Sequence, residues 1–185
     1  MLRKILIVSL CFLSSCSNAK QNPIIENYQL GQKVSPPKKS KVVLVGGCFD
    51  VLHYGHLQFL EKSKAEGTYL IVALEPDDRI IKGKKRQPIH TQQQRAQNLA
   101  AIRYVDKVLL LPPLKGYKDY NQLVRDVHPN IIAITADDPQ KQNKLKQANL
   151  VGASLEMVVD RLKGFSSTRI IGRRAGCNSQ GNTLK

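Results

Sequence analysis

The sequence has few acidic residues, few aromatic residues and few cysteines, and each shortage narrows the classes of protein that fit. Asp and Glu number 14 against 29 Lys and Arg, so the formal net charge is +15 and an anionic partner is expected. Aromatic residues make up 5% of the chain, and no aromatic-rich binding strand accompanies the basic residues, so nucleic acid is not the expected partner. Four cysteines, two of them within the first 16 residues, are too few for a disulfide framework.

The first 20 residues have the layout of a leader. Two basic residues, Arg3 and Lys4, precede an apolar run over 5–13 that is too short to span a bilayer, and Cys16 ends a Leu-Ser-Ser-Cys box. This box resembles a bacterial lipoprotein cleavage site, which would make Cys16 a lipidated residue and attach the protein to a membrane. Residues 21–40 are then expected to be a linker and 173–185 a flexible tail. The alternatives are a start codon assigned too early, which would leave the protein cytoplasmic, or a short core-like helix.

Apolar strands and amphipathic helices alternate from residue 41 to residue 172. Strands are predicted at 41–45, 69–74, 107–111, 131–135 and 155–159, and helices at 57–66, 92–102, 120–127 and 139–150. Such alternation predicts a single α/β domain, a Rossmann-like doubly wound parallel sheet with its ligands at the carboxyl ends of the strands. With 42% hydrophobic residues and 185 residues in all, the chain is long enough to bury an aliphatic core.

A glycine turn between the first of these strands and its helix carries two histidines three residues apart. Gly46 and Gly47 allow a tight turn close to a ligand, and the following helix N-terminus offers N–H groups to an anion. His53 and His56 can face one phosphate group from the start of that helix. The alternatives are a turn with two surface histidines or half of a metal site, although no third cluster of ligands stands nearby in the sequence. Asp50 also fits an ordinary turn aspartate.

Several motifs in order resemble the cytidylyltransferase-like family of nucleotidyltransferases. The family's G-x-F-D-x-x-H-x-G-H signature is matched at Gly47, Phe49, Asp50, His53, Gly55 and His56. Downstream, 82–88 is similar to the family's K-G-x-x-x-P loop, 94–95 to its E-R element and 103–106 to its R-Y-V-D element. Residues 166–171 look like its S-[ST]-T-x-x-I element. The resemblance covers residues 41–172.

The resemblance implies in-line attack by a substrate phosphate oxygen on the α-phosphate of a nucleoside triphosphate, with release of pyrophosphate. It implies that His53, His56 and Lys82 are catalytic, with Lys82 on a mobile loop, and that Mg²⁺ accompanies the triphosphate. Asp77 and Asp137 would act in substrate or base selection, and a homodimer is compatible with the family. Cys48 would be inert packing in the turn. The residues expected to bind the nucleotide or its phosphates are Gly47, Cys48, Phe49, Asp50, Gly55, Arg95, Ser166, Ser167, Thr168 and Arg169.

The motifs leave the nucleotide and the acceptor open. Residues 68–72 and 103–106 look most like the enzymes that make CDP-alcohols, which favours CMP transfer from CTP to a small phosphorylated alcohol. The G-C-F-D turn also resembles heptose-phosphate adenylyltransferases, and 131–139 is similar to archaeal FAD synthetases, so the alternative is ATP with a sugar phosphate or FMN. Departures from the family pattern at 67–68, 75–77 and 135–137 bear on this selection. A second alternative is a non-catalytic lipoprotein that binds a nucleotide or another polyanion.

Overall fold

The structure is a computed structural model that describes residues 24–160 and 170–171. The suspected lipidation residue Cys16 and the predicted phosphate-binding residues Ser166, Ser167, Thr168 and Arg169 lie outside the described residues, as do the predicted leader and the predicted tail. None of the helices in the described part is long and apolar enough to cross a membrane.

The described chain alternates strands and helices. The strands are β1 (Ile24–Asn27), β2 (Val42–Gly47), β3 (Tyr69–Leu74), β4 (Lys107–Leu110), β5 (Ile131–Thr135) and β6 (Ser154–Val159). The helices are α1 (Tyr54–Ala65), α2 (Asp77–Lys84), α3 (Gln92–Ala100), α4 (Tyr117–Val127) and α5 (Lys141–Asn149).

All neighbouring strands of the sheet run parallel, in the order β1-β4-β3-β2-β5-β6. The chain proceeds from β2 through β3 to β4 on one side, and then returns to place β5 and β6 on the other side of β2. The prediction of an α/β, Rossmann-like parallel sheet is therefore confirmed. The direction of winding changes between β2 and β5, and ligands of such sheets bind in the crevice beyond the carboxyl ends of these strands.

Apolar side chains cover both faces of the sheet. Along β2, Val43 and Val45 point into one core and Val42 and Leu44 into the other, because successive strand residues face opposite sides. The first core includes Phe59 of α1 and residues of α3, and the second includes residues of α4 and α5. The continuous apolar runs of β2 to β5 follow from this burial on two sides.

The prediction that 21–40 is a linker is wrong, because β1 lies within it. Strand β1 pairs with β4 from Ile24 opposite Lys107 to Asn27 opposite Leu110, and Glu26 forms an ion pair of 2.8 Å with Lys107. The buried Tyr28 hydroxyl then donates to Asp126 of α4 at 2.6 Å. This segment satisfies the backbone groups that β4 would otherwise expose at the sheet edge.

The family-like loop 82–88, on which Lys82 was expected, begins inside helix α2 in the structure, because residues 82–84 form the last turn of that helix. Asp77 and Asp78 in the first turn and Lys82 and Lys84 in the last turn complement the helix dipole. The helix ends at Lys85, which adopts a left-handed conformation with φ of 54°. The helix accommodates Gly83 close to its C-terminal end. The other predicted elements are present, with ends that differ by a few residues.

Candidate active site

The turn between β2 and α1 is held in a strained conformation by its own packing. Phe49 has a φ of 46°, a left-handed value that is costly for a residue with a side chain, yet its ring is buried. Gly47 makes this possible, because a Cβ at that position would come within 2.9 Å of the Phe49 ring. Glycine is therefore required here for close packing. The turn delivers the chain to the start of α1 with little freedom.

The two predicted histidines meet at the N-terminus of α1. His53 is the N-cap residue in extended conformation, Gly55 lies in the first turn, and the His56 N–H donates to the His53 carbonyl at 2.9 Å. Their rings stack, with centroids 3.7 Å apart and planes 20° apart, and the His56 ring lies 5.0 Å from that of Phe49. The structure thus brings His53, His56 and Phe49 together as the motif predicts.

Both imidazoles are neutral in the free protein at neutral pH. Burial, then the neighbouring His53 ring and the Lys84 charge, lower the pKa of His56 from 6.5 to about 3. Burial and the Lys84 charge also lower the pKa of His53. A neutral imidazole keeps one N–H donor. The pair can donate hydrogen bonds to an anionic group, and such a group would favour protonation of the pair.

Asp50 holds the turn against the segment that precedes α3. Its carboxylate is fully buried, accepts a hydrogen bond from the Ile89 N–H at 2.8 Å and forms an ion pair with Arg86 at 2.6 Å. Burial alone would raise the pKa of Asp50, but the hydrogen bonds from Arg86, Ile89 and His90 outweigh it and lower that pKa. The Asp50 oxygens are thus engaged within the protein and position the turn, and the expected role of Asp50 in phosphate binding stays a prediction.

Arg95 is a buried clamp between several segments of the protein, and its expected binding of phosphate stays a prediction. Its guanidinium is fully buried and donates to the carbonyls of Cys48, Glu75 at 2.9 Å and His90 at 3.2 Å. It also forms an ion pair of 2.7 Å with Asp77, a residue expected in substrate or base selection. The fork of donors on arginine suits this multiple contact. Arg95 and Asp77 thus fix the ends of β2 and β3 and the start of α2 relative to one another.

The lysine whose charge acts on the histidines is Lys84 rather than Lys82. The Lys82 side chain is 76% exposed and its Nζ lies 3.3 Å from Asp78 on the same helix. After burial, the Lys84 charge contributes to the lowered pKa values of His53 and His56, and it opposes the rise that burial causes in the pKa of Cys48. The family pattern of the sequence pointed to Lys82. Lys84 could have been found only by knowing that 77–84 is helical, since that decides which lysine turns toward α1.

A cavity of about 580 Å³ opens beside the glycine turn, on the sheet face that α4 and α5 cover. Gly46, Gly47 and Cys48 form its border with the turn, and Pro139 and Gln140 of the β5–α5 loop lie at its other side. The exposed Asp137 belongs to the same loop. Burial raises the pKa of the Cys48 thiol, so the thiol stays protonated at neutral pH, and its inert role stays a prediction.

Within residues 24–160, no group of three or more His, Cys, Asp or Glu side chains is arranged to hold a metal ion.

These features define an α/β protein with a candidate anion site, the histidine pair, at the switch point of its sheet. A family model described as cytidylyltransferase-like matches residues 44–173, and the chain belongs to that family. The FAD synthase of Thermococcus kodakarensis is 42% identical over 111 residues, which are 60% of this chain and 72% of the relative. The bifunctional protein HldE of Helicobacter hepaticus is 34% identical over 156 residues, which are 82% of this chain but 30% of that protein.

Among solved structures, a lipopolysaccharide core biosynthesis protein from Thermoplasma volcanium matches with a TM-score of 0.54 and 26% identity. The match covers 66% of this chain and 97% of that one. A pantoate-beta-alanine ligase from Francisella tularensis has a TM-score of 0.58 at 17% identity, covering 88% of this chain and 82% of that one, and shows the same fold. The protein is therefore an enzyme of the nucleotidyltransferase superfamily.

Proposed function

We propose that the protein is an adenylyltransferase that moves AMP from ATP to the phosphate of a small acceptor and releases pyrophosphate. The acceptor's phosphate oxygen forms a bond to the α-phosphorus of ATP while the bond from that phosphorus to the β-phosphate oxygen breaks. Pyrophosphate carries away the electron pair of the broken bond, so no oxidant or reductant takes part. The observation that carries the proposal is the stacked neutral pair of His53 and His56 at the N-terminus of α1.

The preference for ATP rests on the relatives. An FAD synthase joins an adenylyl group to a flavin phosphate, and one such enzyme shares 42% identity with this chain over 111 residues. This similarity supports the ATP alternative better than the transfer of CMP from CTP that residues 68–72 and 103–106 suggest. CTP therefore becomes the competing nucleotide in the test rather than the expected one.

The histidines stabilise negative charge that develops on the phosphate oxygens during the reaction. His53 and His56 donate hydrogen bonds to the nonbridging oxygens of the α- and β-phosphates, and the helix N-terminus adds its positive dipole. Lys84 lowers the negative potential around these oxygens, and Lys82 is the alternative lysine. We assign Ser166, Ser167, Thr168 and Arg169 to the β- and γ-phosphates, as the family motif implies. Asp137 is proposed to act in base or substrate selection.

Mg²⁺ is the divalent ion that we propose to accompany the triphosphate. Asp50, the carboxylate in the turn, is engaged by Arg86 and by backbone N–H groups, so the donor set of the described residues suits an ion held by phosphate oxygens and water. When bound, the ion would neutralise charge on the triphosphate. The protein's own residues would position the two reacting groups.

Pyrophosphate release by the full chain tests the proposal. ATP and CTP are each offered with FMN, a sugar phosphate and glycerol 3-phosphate in the presence of Mg²⁺. We expect ATP to exceed CTP in kcat/KM by about tenfold or more with at least one acceptor, and His56→Gln to lower kcat by about 10²-fold with a smaller change in the KM for ATP. A preference for CTP would contradict the adenylyltransferase and identify the activity as cytidylyl transfer. Absence of pyrophosphate with every pair would favour the non-catalytic binding protein.

A further inference from the structure

The cavity on the α4 and α5 face has a wall chemistry that indicates what fills it. We propose that it binds the non-phosphate part of the acceptor, and that this part is a flat heteroaromatic ring whose N–H edge is recognised by Glu75. The inference rests on the proposed function, since it places the acceptor of that reaction. It adds the class of acceptor and the residue that selects it.

The position of the cavity suits the acceptor. Its border at Gly46, Gly47 and Cys48 is the turn that leads to the two histidines, so a molecule in the cavity can extend one end toward the triphosphate. Its volume of about 580 Å³ is that of a small-molecule site. Neither histidine lines the cavity. The nucleotide phosphates and the acceptor body would therefore occupy separate spaces on either side of one turn.

One wall of the cavity is apolar and aromatic. The sheet contributes Leu44, Ala73 and Ile132 to its floor. Tyr117 and Tyr120, three residues apart on α4, place two aromatic rings along its side. A flat apolar molecule that covers this surface removes apolar area from water, and the tyrosine rings can stack on another ring.

Glu75 supplies a fixed hydrogen-bond acceptor in this wall. The Tyr120 hydroxyl donates to Glu75 Oε1 at 2.8 Å, and it is the one side chain between residues 24 and 160 that hydrogen-bonds this carboxylate. The backbone of Glu75 is fixed as well, because its N–H donates to the Gly47 carbonyl at 3.0 Å and its carbonyl accepts from Arg95 at 2.9 Å. The carboxylate thus has capacity for a ligand donor at a defined position.

Tyr120 orients this carboxylate. Burial beside Glu75 raises the pKa of Tyr120, so the phenol stays protonated and acts as the donor. Burial raises the pKa of Glu75 too, while the Tyr120 hydrogen bond and the charges of Arg79, Lys144 and Arg95 oppose that rise. A partly buried carboxylate whose acceptor capacity is incompletely used favours a ligand that donates a hydrogen bond to it.

The shape and polarity together disfavour small polyols. Glycerol phosphate or ethanolamine phosphate is much smaller than the cavity and would leave the floor of Leu44, Ala73 and Ile132 against water. A sugar phosphate could pair its hydroxyls with polar lining residues such as Gln140 and Asn143, but it offers less apolar surface than a flat ring to the floor and to the two tyrosine rings. A ring with one apolar edge and one N–H edge satisfies the floor, the tyrosines and Glu75 at once. Flavin is the available probe of this class.

Binding of FMN and riboflavin to the full chain tests the proposal, followed by the change in flavin fluorescence on titration. Glu75→Met keeps a side chain of similar length and removes the acceptor oxygens. The matched control is Glu61→Met, because Glu61 also accepts from a tyrosine, Tyr104, at 2.6 Å, but lies outside the cavity lining. Circular dichroism and binding of an ATP analogue verify that both variants are folded.

We expect both flavins to bind, and Glu75→Met to raise each flavin's Kd about tenfold or more, the loss of one hydrogen bond to a charged group, while Glu61→Met leaves each Kd within about twofold. Tyr117→Leu, which removes one ring of the wall, should raise the Kd for FMN about fivefold. An unfolded Glu75→Met would leave Tyr117→Leu and the wild-type titrations to decide.

Two results would overturn the inference. Flavin binding that is equal in wild type, Glu75→Met and Tyr117→Leu would place the ring elsewhere. The second result is no flavin binding together with pyrophosphate release from ATP and a sugar phosphate or glycerol 3-phosphate. It would contradict a ring-shaped acceptor but support the adenylyltransferase activity. Absence of turnover with every acceptor while flavin binding depends on Glu75 would instead remove the proposed reaction and keep the site.

Discussion

Replacing His56 by glutamine should remove much of the acid sensitivity of this protein's stability. His56 has a pKa lowered from 6.5 to about 3, first by burial and then by the His53 ring and the Lys84 charge, with the Val51 carbonyl in partial opposition. At a pH between these two pKa values, His56 binds a proton in the unfolded chain but not in the folded chain. Stability is therefore greatest above the unfolded pKa and is lost as the pH falls toward the folded one.

The size of the effect follows from the two pKa values. Protonation of the unfolded chain alone costs roughly 2 kcal/mol of unfolding free energy between about pH 7 and about pH 5, when the unfolded pKa is 6.5 and the folded pKa is about 3. The His56→Gln chain lacks this group. His53 keeps its own lowered pKa in this variant, because burial and the Lys84 charge cause that shift, so a smaller acid loss remains.

Urea unfolding followed by far-ultraviolet circular dichroism measures the difference, since the chain has no tryptophan to report it. The wild type should lose about 2 kcal/mol more than His56→Gln between the two pH values. Phe59→Leu is the control, because it weakens the buried packing of α1 without removing a titratable group, and it should keep the wild-type slope. Equal acid loss in the wild type and in His56→Gln would refute the low pKa and the neutral histidine pair derived from it.

Three further outcomes are expected. Lys84→Ala should lower kcat about tenfold or more in the pyrophosphate assay while the exposed Lys82→Ala stays within about twofold, and the reverse order would reinstate Lys82 as the working lysine. Arg95→Lys should lower the free energy of unfolding in urea by about 3 kcal/mol, because an ammonium cannot reach all four oxygens that the guanidinium contacts, and an unchanged midpoint would contradict the clamp. If Cys16 is lipidated, as we propose, the wild type should stay with membranes through a high-salt wash and Cys16→Ser should not, whereas a soluble wild type of unmodified intact mass would contradict the lipid.

Local patterns in the sequence were sufficient for the sheet and for the phosphate turn. Continuous apolar runs such as Ile131–Thr135 identify strands buried on both faces, and the spacing of His53 and His56 is set within a single helical turn. Features of this kind depend on residues that are close together in the chain. They can be predicted without knowledge of the rest of the fold.

Strand β1 shows why other elements could not be predicted from local sequence patterns. Ile24–Asn27 has only four residues, and what makes it a strand is the open edge of β4, with Glu26 and Lys107 81 positions apart in the chain. The same applies to helix α2, whose place against the end of β3 is fixed by Arg95 from a later helix. Weak local preference left both segments to be decided by tertiary contacts.

The family, the parallel sheet and the histidine pair could be predicted from the chain alone, because they follow from short-range periodicity and from a motif within one turn. Which charged groups are available to a ligand depends on contacts between distant parts of the chain. The tertiary structure turned Arg95 and Asp50 inward as supports, and it brought Glu75 to Tyr120, 45 residues away, in the wall of a cavity. Burial and pairing between distant residues set these roles, and neither is encoded in the neighbourhood of any one of them.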